Sequence, residues 1–140
     1  LRINIKNLPI TENHPPNPGN PYGVGKTCAD IIAQYYLRNG MRIAITRMFT
    51  HCGVGRTMMS AENYYAREVA LRELDGKDVI EISNQAGMDS LRTWADVRDA
   101  VKNYYSLFKS QKTGIFNISG ETVKSLREVL NYLVSLEKQF

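Results

Sequence analysis

Apolar residues recur along the chain with two different periods, and the changes of period mark out its elements. Val24, Ile31, Ile32, Tyr35 and Tyr36 follow roughly helical spacing and stop at Asn39-Gly40, which predicts a first helix. Asn20 is a good N-cap, and Pro21 suits the first helical position, where its missing N–H costs nothing. The Pro/Asn-rich stretch from Pro9 to Gly19 is then a connector. Met41 to Phe49, MRIAITRMF, is compact, partly alternating and rich in isoleucine. That is the pattern of a buried strand, and it feeds a loop bearing Gly53 and Gly55.

Ala61 to Leu74 returns to helical spacing and is closed by Asp75-Gly76, and VIEI, from Val79 to Ile82, reads as a short strand. Thr93 with Asp96 resembles a capping box shortened to aspartate. It would open a helix whose face carries Trp94, Val97, Val101, Tyr104 and Phe108. Trp94 and the Tyr104/Tyr105 pair are expected in the core. GIFNI, from Gly114 to Ile118, reads as another strand. Ser125 and Glu128 form a capping box ahead of Leu126, Val129, Leu130, Leu133 and Leu136, a final amphipathic helix. Helix and strand alternate at the spacing of βα units, which predicts an α/β architecture with a mostly parallel sheet. No G-x-G-x-x-G follows a strand anywhere in the chain, so it lacks the phosphate-binding turn of a dinucleotide site.

With 140 residues, 43% hydrophobic and 23% charged, the chain has a globular composition and length for one modest core. The net charge of +4 suits an anionic ligand, but the basic residues are scattered, which argues against nucleic acid as a partner. Cys28 and Cys52 fit no metal-ligand spacing. They read as reduced thiols of a cytoplasmic protein, and no metal is expected. No stretch approaches the ~20 apolar residues that cross a membrane, and the N-terminus lacks the layout of a signal peptide. Leu1 to Ile10 reads like the middle of a protein, so a fragment of a longer chain is expected.

Chemistry concentrates in NPYGVGKTCAD, Asn20 to Asp30. Tyr22 and Lys26 stand at i and i+4, on one helix face and about 6 Å apart along the axis, close enough to meet one small ligand. The spacing also suits a plain boundary between core and solvent. For the tyrosine to exchange a proton near neutral pH, its pKa of about 10 must fall to about 7, which needs roughly 4 kcal/mol of differential stabilisation. The Lys26 ammonium favours the phenolate, and a cationic nicotinamide ring in a low-dielectric pocket would add to the effect.

Four segments in order resemble the extended short-chain dehydrogenase/reductase family, in its branch of nucleotide-sugar epimerases, dehydratases and reductases. PITENHPPNPGNPYGVGKTCAD is similar to the acidic-loop and Y-x-x-x-K segment, and RIAITRMFTHCGVGR to the strand and substrate loop that follow. DSLRTWADVRDAV is similar to the R-D-W/F-x-x-V-x-D segment, and GIFNISGETVKSLREVL to the late strand and helix. RMFTHCGVGRTMMSAENYYAREVA is most similar to the GDP-mannose 4,6-dehydratases and GDP-4-keto-6-deoxymannose reductases.

The resemblance implies the C-terminal half of a Rossmann-type parallel-sheet domain plus part of a small substrate-binding domain. Residues 1–56 would be the latter part of the Rossmann-type domain. Residues 57–140 would be mainly substrate-binding, with some segments returning to the first domain. It implies NAD or NADP as cofactor, a nucleotide-sugar substrate and a homodimer built partly on the first helix through Ile31 and Tyr35. The glycine-rich turn and the Ser/Thr partner of the tyrosine would lie before Leu1, so the isolated chain is expected to be inactive.

Carried over by residue, the resemblance makes Tyr22 the acid/base and Lys26 the residue that holds the nicotinamide ribose. Met48, Phe49 and His51 would pass beside the cofactor. Thr50, Asn63, Arg67 and Arg92 would face the substrate, Arg92 through its diphosphate, and Asp99 would brace the Arg92 loop. The family usually has proline where Met48 stands and often asparagine at Thr50. The implied reaction moves hydride between sugar C4 and the nicotinamide while Tyr22 moves the proton on the C4 oxygen. The sequence leaves open dehydratase, reductase and 4-epimerase, and also a noncatalytic or truncated family member acting as a binding or partner subunit.

Overall fold

A computed structural model of the chain describes residues 9–76, 80–82 and 85–136. The elements in order are α1 (Pro21–Arg38), β1 (Ala44–Met48), β2 (His51–Cys52), α2 (Ala61–Asp75), α3 (Gln85–Met88), β3 (Leu91–Asp96), α4 (Val97–Ser110), β4 (Gly114–Ile118), β5 (Thr122–Ser125) and α5 (Leu126–Leu136). They fall into two compact units. One holds the chain up to Met48 with Lys102–Ile118, and the other holds Phe49–Val101 with the residues from Ser119 onward.

In the first unit, α1 starts where its cap dictates. The Asn20 side chain accepts the Gly23 N–H at 2.7 Å, and Pro21 occupies the first turn. It stops at Asn39, whose side-chain amide donates to the Tyr35 carbonyl at 2.7 Å. β1 and β4 pair in parallel, Ala44 opposite Gly114 through Met48 opposite Ile118, with Ile45 and Ile118 buried. The segment before α1 is tied to this sheet by charge. Arg47 Nε donates to Asp30 Oδ2 at 2.7 Å, and its Nη1 donates to the Glu12 carbonyl at 2.7 Å. Burial pushes the Asp30 carboxyl up, but the hydrogen bonds from Arg47 and Gln34 outweigh it and hold it below its ordinary value. The Gly114 N–H points at the Ile43 carbonyl. Three residues further along a strand, the Asn117 N–H therefore faces the outer edge, where the Glu12 carboxylate accepts it at 2.9 Å. A charged side chain thus occupies an edge donor that another strand could otherwise pair with.

In the second unit β3 is central. It pairs in parallel with β2, His51 opposite Ala95, and antiparallel with β5, Leu91 opposite Ser125 through Trp94 opposite Thr122. Tyr65 and Val69 of α2, Met88 of α3, and Leu126 and Leu130 of α5 form the core, with Trp94, Ile80 and Leu133 packed against it. α2 ends at Gly76 in the left-handed conformation, φ 67°, where a side chain would be strained.

Three expectations need correcting. Residues 80–82 form no strand, and Val79 lies outside the described residues. Thr93 does not cap a helix, because Leu91–Asp96 is a strand with partners on both sides. The cap is Asp96 itself, whose Oδ1 accepts the Arg98 N–H at 2.7 Å, so α4 begins three residues later than the sequence suggests. Tyr104 and Tyr105 are exposed in this chain rather than core, whereas Trp94 packs on the core and donates its indole N–H to the Lys124 carbonyl at 3.0 Å.

The capping box at α5 forms as the sequence predicts. The Glu128 carboxylate accepts the Ser125 N–H at 2.8 Å, and the Ser125 hydroxyl accepts the Glu128 N–H at 3.1 Å. The Ser125 N–H first, then Lys124 and the Ser125 hydroxyl, lower the Glu128 carboxyl from 4.5 to about 2. A carboxyl lowered by folding stabilises above its unfolded value and loses that contribution as pH falls through the folded value. The difference in urea midpoint between wild type and Glu128→Ala should therefore be full above pH 4.5 and shrink steadily toward pH 2. A difference independent of pH over that window would show that the charge does not support the cap.

Candidate active site

In the first unit Tyr22 lies in the opening turn of α1 and Lys26 one turn on, with the Lys26 ammonium 5.7 Å from the centroid of the Tyr22 ring. That is the reach of a cation over an aromatic face. Tyr22 is 74% exposed. The low-dielectric surroundings that would strengthen the ammonium's hold on a phenolate must then come from whatever binds over the pair. Met48, half-buried, closes β1 in the same unit, opposite Ile118. A cleft of about 400 Å³ in this unit is lined by His14, Gln34, Arg38 and Arg47 among others, and neither Tyr22 nor Lys26 reaches it.

The other predicted residues lie in the second unit. Phe49, Thr50 and His51 are half-buried. The Thr50 carbonyl accepts the Ala95 N–H at 3.1 Å, so its backbone is already committed to β3. His51 Nδ1 lies 3.2 Å from the Phe49 carbonyl, a contact that is a hydrogen bond when Nδ1 carries the proton. Asn63 and Arg67 share a face of α2 at i and i+4. The Asn63 amide is used internally, donating to the Arg56 carbonyl at 2.6 Å, and exposed Arg67 stands 3.3 Å from Glu68. Arg92 sits on β3 opposite Lys124 of β5, two cations on one face of the sheet. Arg92 is half-buried as a residue, and its guanidinium has no hydrogen-bond or ion-pair partner among the described residues. Asp99 stands exposed in the first turn of α4.

The sequence did not point to Arg56 or to the Asp89–Arg127 pair. Arg127 Nε donates to Asp89 Oδ1 at 2.6 Å and its Nη2 to Oδ2 at 3.2 Å, a two-point bond that fixes the turn before β3 against α5. The pairing spans 38 positions, and no local pattern announces it. Cys52 is half-buried, and burial first, then the Glu62 and Asp96 carboxylates, push its thiol up, which keeps it neutral. Among the described residues no three His, Cys, Asp or Glu side chains gather to hold a metal ion, and no helix is long and apolar enough to cross a membrane.

A parallel α/β sheet, a capped helix presenting tyrosine and lysine one turn apart, and a following strand that feeds a glycine-bearing loop agree with an extended short-chain dehydrogenase/reductase, the class that similarity to known proteins establishes. Within that class the chain belongs to the GDP-mannose 4,6 dehydratase family, whose model matches residues 4–138. It is 27% identical over 132 residues to GDP-6-deoxy-D-mannose reductase of Pseudomonas aeruginosa, an alignment covering 92% of this chain and 42% of the relative. The solved structure of RMD from Pseudomonas aeruginosa complexed with NADPH is similar with a TM-score of 0.86 and 26% identity, covering 98% of this chain and 47% of that one. The dTDP-glucose 4,6-dehydratase of Bacillus anthracis, solved in complex with NAD, shares the fold at a TM-score of 0.76 and 24% identity, over 91% of this chain and 39% of that one. The chain thus spans less than half the length of each of these relatives.

Proposed function

We propose that this chain is the part of a nicotinamide-dependent nucleotide-sugar enzyme that carries its proton-transfer pair and substrate-binding residues. Tyr22 exchanges the proton on the sugar C4 oxygen while hydride passes between C4 and NAD or NADP. Lys26 holds the nicotinamide ribose and stabilises the Tyr22 phenolate. The observation that carries this reading is the Lys26 ammonium 5.7 Å from the Tyr22 ring, on the opening turn of a capped helix, in a chain of this family. The residues present fit what the nicotinamide end of such a cofactor requires: an ammonium and a phenol, side by side and open to a ligand.

The substrate on this reading is a GDP-sugar, supported by the similarity to a GDP-6-deoxy-D-mannose reductase. Arg92 suits the diphosphate, because a guanidinium offers two parallel donors to phosphate oxygens. A reductase would deliver hydride to a C4 ketone and oxidise NADPH. A dehydratase would take hydride from C4, lose water across C5 and C6, and return the hydride to C6 with no net change in the cofactor.

The test is an assay of the intact protein with each substrate in turn. NADPH consumed in step with a GDP-4-keto-6-deoxy sugar identifies a reductase. A 4-keto product from GDP-mannose with the cofactor unchanged identifies a dehydratase. Binding of GDP-sugar without turnover of either would overturn the catalytic reading in favour of a binding subunit. In the same assay Arg92→Ala should raise the KM for the nucleotide sugar by the equivalent of about 1.5 to 3 kcal/mol, the cost of a charge-assisted bond, with cofactor affinity unchanged. Arg92→Lys should lie between, since it keeps the charge and loses the planar fork. A loss of cofactor affinity instead would place Arg92 elsewhere.

A further inference from the structure

Between β2 and α2 the chain makes a loop, Gly53 to Ser60, and a single residue joins its two ends. The Arg56 guanidinium donates to the His51 carbonyl through Nη1, and the same nitrogen stands 3.2 Å from Glu62 Oε1 in the first turn of α2. The Arg56 main chain is committed as well: its N–H donates to the Gly53 carbonyl at 3.4 Å, and its carbonyl accepts the Asn63 amide at 2.6 Å. The Glu62 side chain is only 10% exposed. Its Oε1 has no hydrogen bond, so the Arg56 charge is what offsets its burial. An exposed ion pair would add little. Here one partner is withdrawn from water and the other also holds a backbone carbonyl, so the two elements are coupled through a single side chain.

We infer that Arg56 is a positioning residue for the nucleotide sugar: by holding the His51 carbonyl to α2 it fixes the segment Phe49 to Cys52, from which Thr50 faces the sugar while Phe49 and His51 pass beside the cofactor. This inference rests on the function proposed above. The strap is a backbone restraint, so its loss affects how well the segment receives the sugar rather than the chemistry at Tyr22. The signature is a rise in the substrate KM with little change in kcat.

Arg56→Ala alone would leave the Glu62 carboxylate buried without its counter-charge and could unfold the loop. The informative variant is therefore Arg56→Ala/Glu62→Gln, which removes both charges and keeps the shape of the buried side chain. In the intact protein it should keep the wild-type melting temperature and kcat while the KM for the nucleotide sugar rises about tenfold. Arg56→Lys, with Glu62 retained, should recover part of the loss, because an ammonium restores the charge and one donor. Hydrogen exchange gives a readout independent of turnover, with the amides of residues 51–56 exchanging faster in the double variant than in wild type. Wild-type KM with wild-type exchange would overturn the inference. So would a parallel fall in kcat and melting temperature, which marks a purely structural pair. If the wild-type protein turns over no nucleotide sugar, the proposed function fails, while the exchange data still decide whether Arg56 holds the loop.

Discussion

Tyr22→Phe is expected to slow nucleotide-sugar turnover by about a hundredfold or more while leaving the Kd for the nucleotide sugar nearly unchanged. The substitution removes one oxygen from an exposed ring in the first turn of α1, where the helix is held by the Asn20 cap and by Pro21 rather than by the phenol. The Lys26 ammonium keeps its aromatic face, so local structure has no reason to change. On the function proposed above, what disappears is the group that accepts and returns the C4 proton. Circular dichroism should be unchanged, and the loss should fall on kcat. Lys26→Ala should differ by also weakening cofactor binding. Unchanged kcat in Tyr22→Phe, with a purified GDP-sugar and cofactor, would remove the tyrosine from the mechanism.

The second large effect is on stability. At Gly120 a Cβ would collide with the Trp94 carbonyl group and stand 2.9 Å from the Ala95 nitrogen. These are backbone atoms of β3, the strand that pairs with both β2 and β5. They cannot swing aside as the tip of a side chain can, so one of the two chain segments must move. Gly120→Ala should cost about 3 kcal/mol or more, at the top of the range for overpacking, because the displacement spreads through the pairing of β3 with β5. Gly25→Ala is the control. Nothing lies within 4 Å of the position a Cβ would take there, and the residue sits inside α1. Alanine at that position should stabilise by about 0.5 to 1 kcal/mol through helix propensity. Urea midpoints of the two variants should therefore move in opposite directions. A wild-type midpoint for Gly120→Ala would mean that residue 120 does not approach β3 as closely as the structure has it.

These two residues also show where sequence reading succeeds and where it stops. Tyr22 and Lys26 could be placed on one face from their spacing, because a helix brings i and i+4 together whatever surrounds it, and Asn20 and Pro21 mark its start. The Ser125–Glu128 box and the Gly76 stop were equally legible, since each acts within a few residues through hydrogen bonds the local chain can make alone. The family resemblance added the order of the segments and the roles implied for Met48, Thr50, Asn63, Arg67 and Arg92.

Gly120 carried no such signal, because its constraint comes from Trp94, a neighbour only once β3 and β5 lie side by side. Thr93 and Asp96 carried a plausible cap, yet Leu91–Trp94 pair with β5 and Ala95–Asp96 with β2, so the segment is a strand and the cap moved to Asp96. The same holds for charge. Arg47 with Asp30 and Glu12, and Arg127 with Asp89, each join elements that the sequence separates. Short-range hydrogen bonding and helical periodicity were therefore determined by the sequence alone. Strand partners, close backbone approaches and the long-range ion pairs were decided by tertiary structure, because each depends on which distant groups arrive to share a hydrogen bond, a charge or a volume.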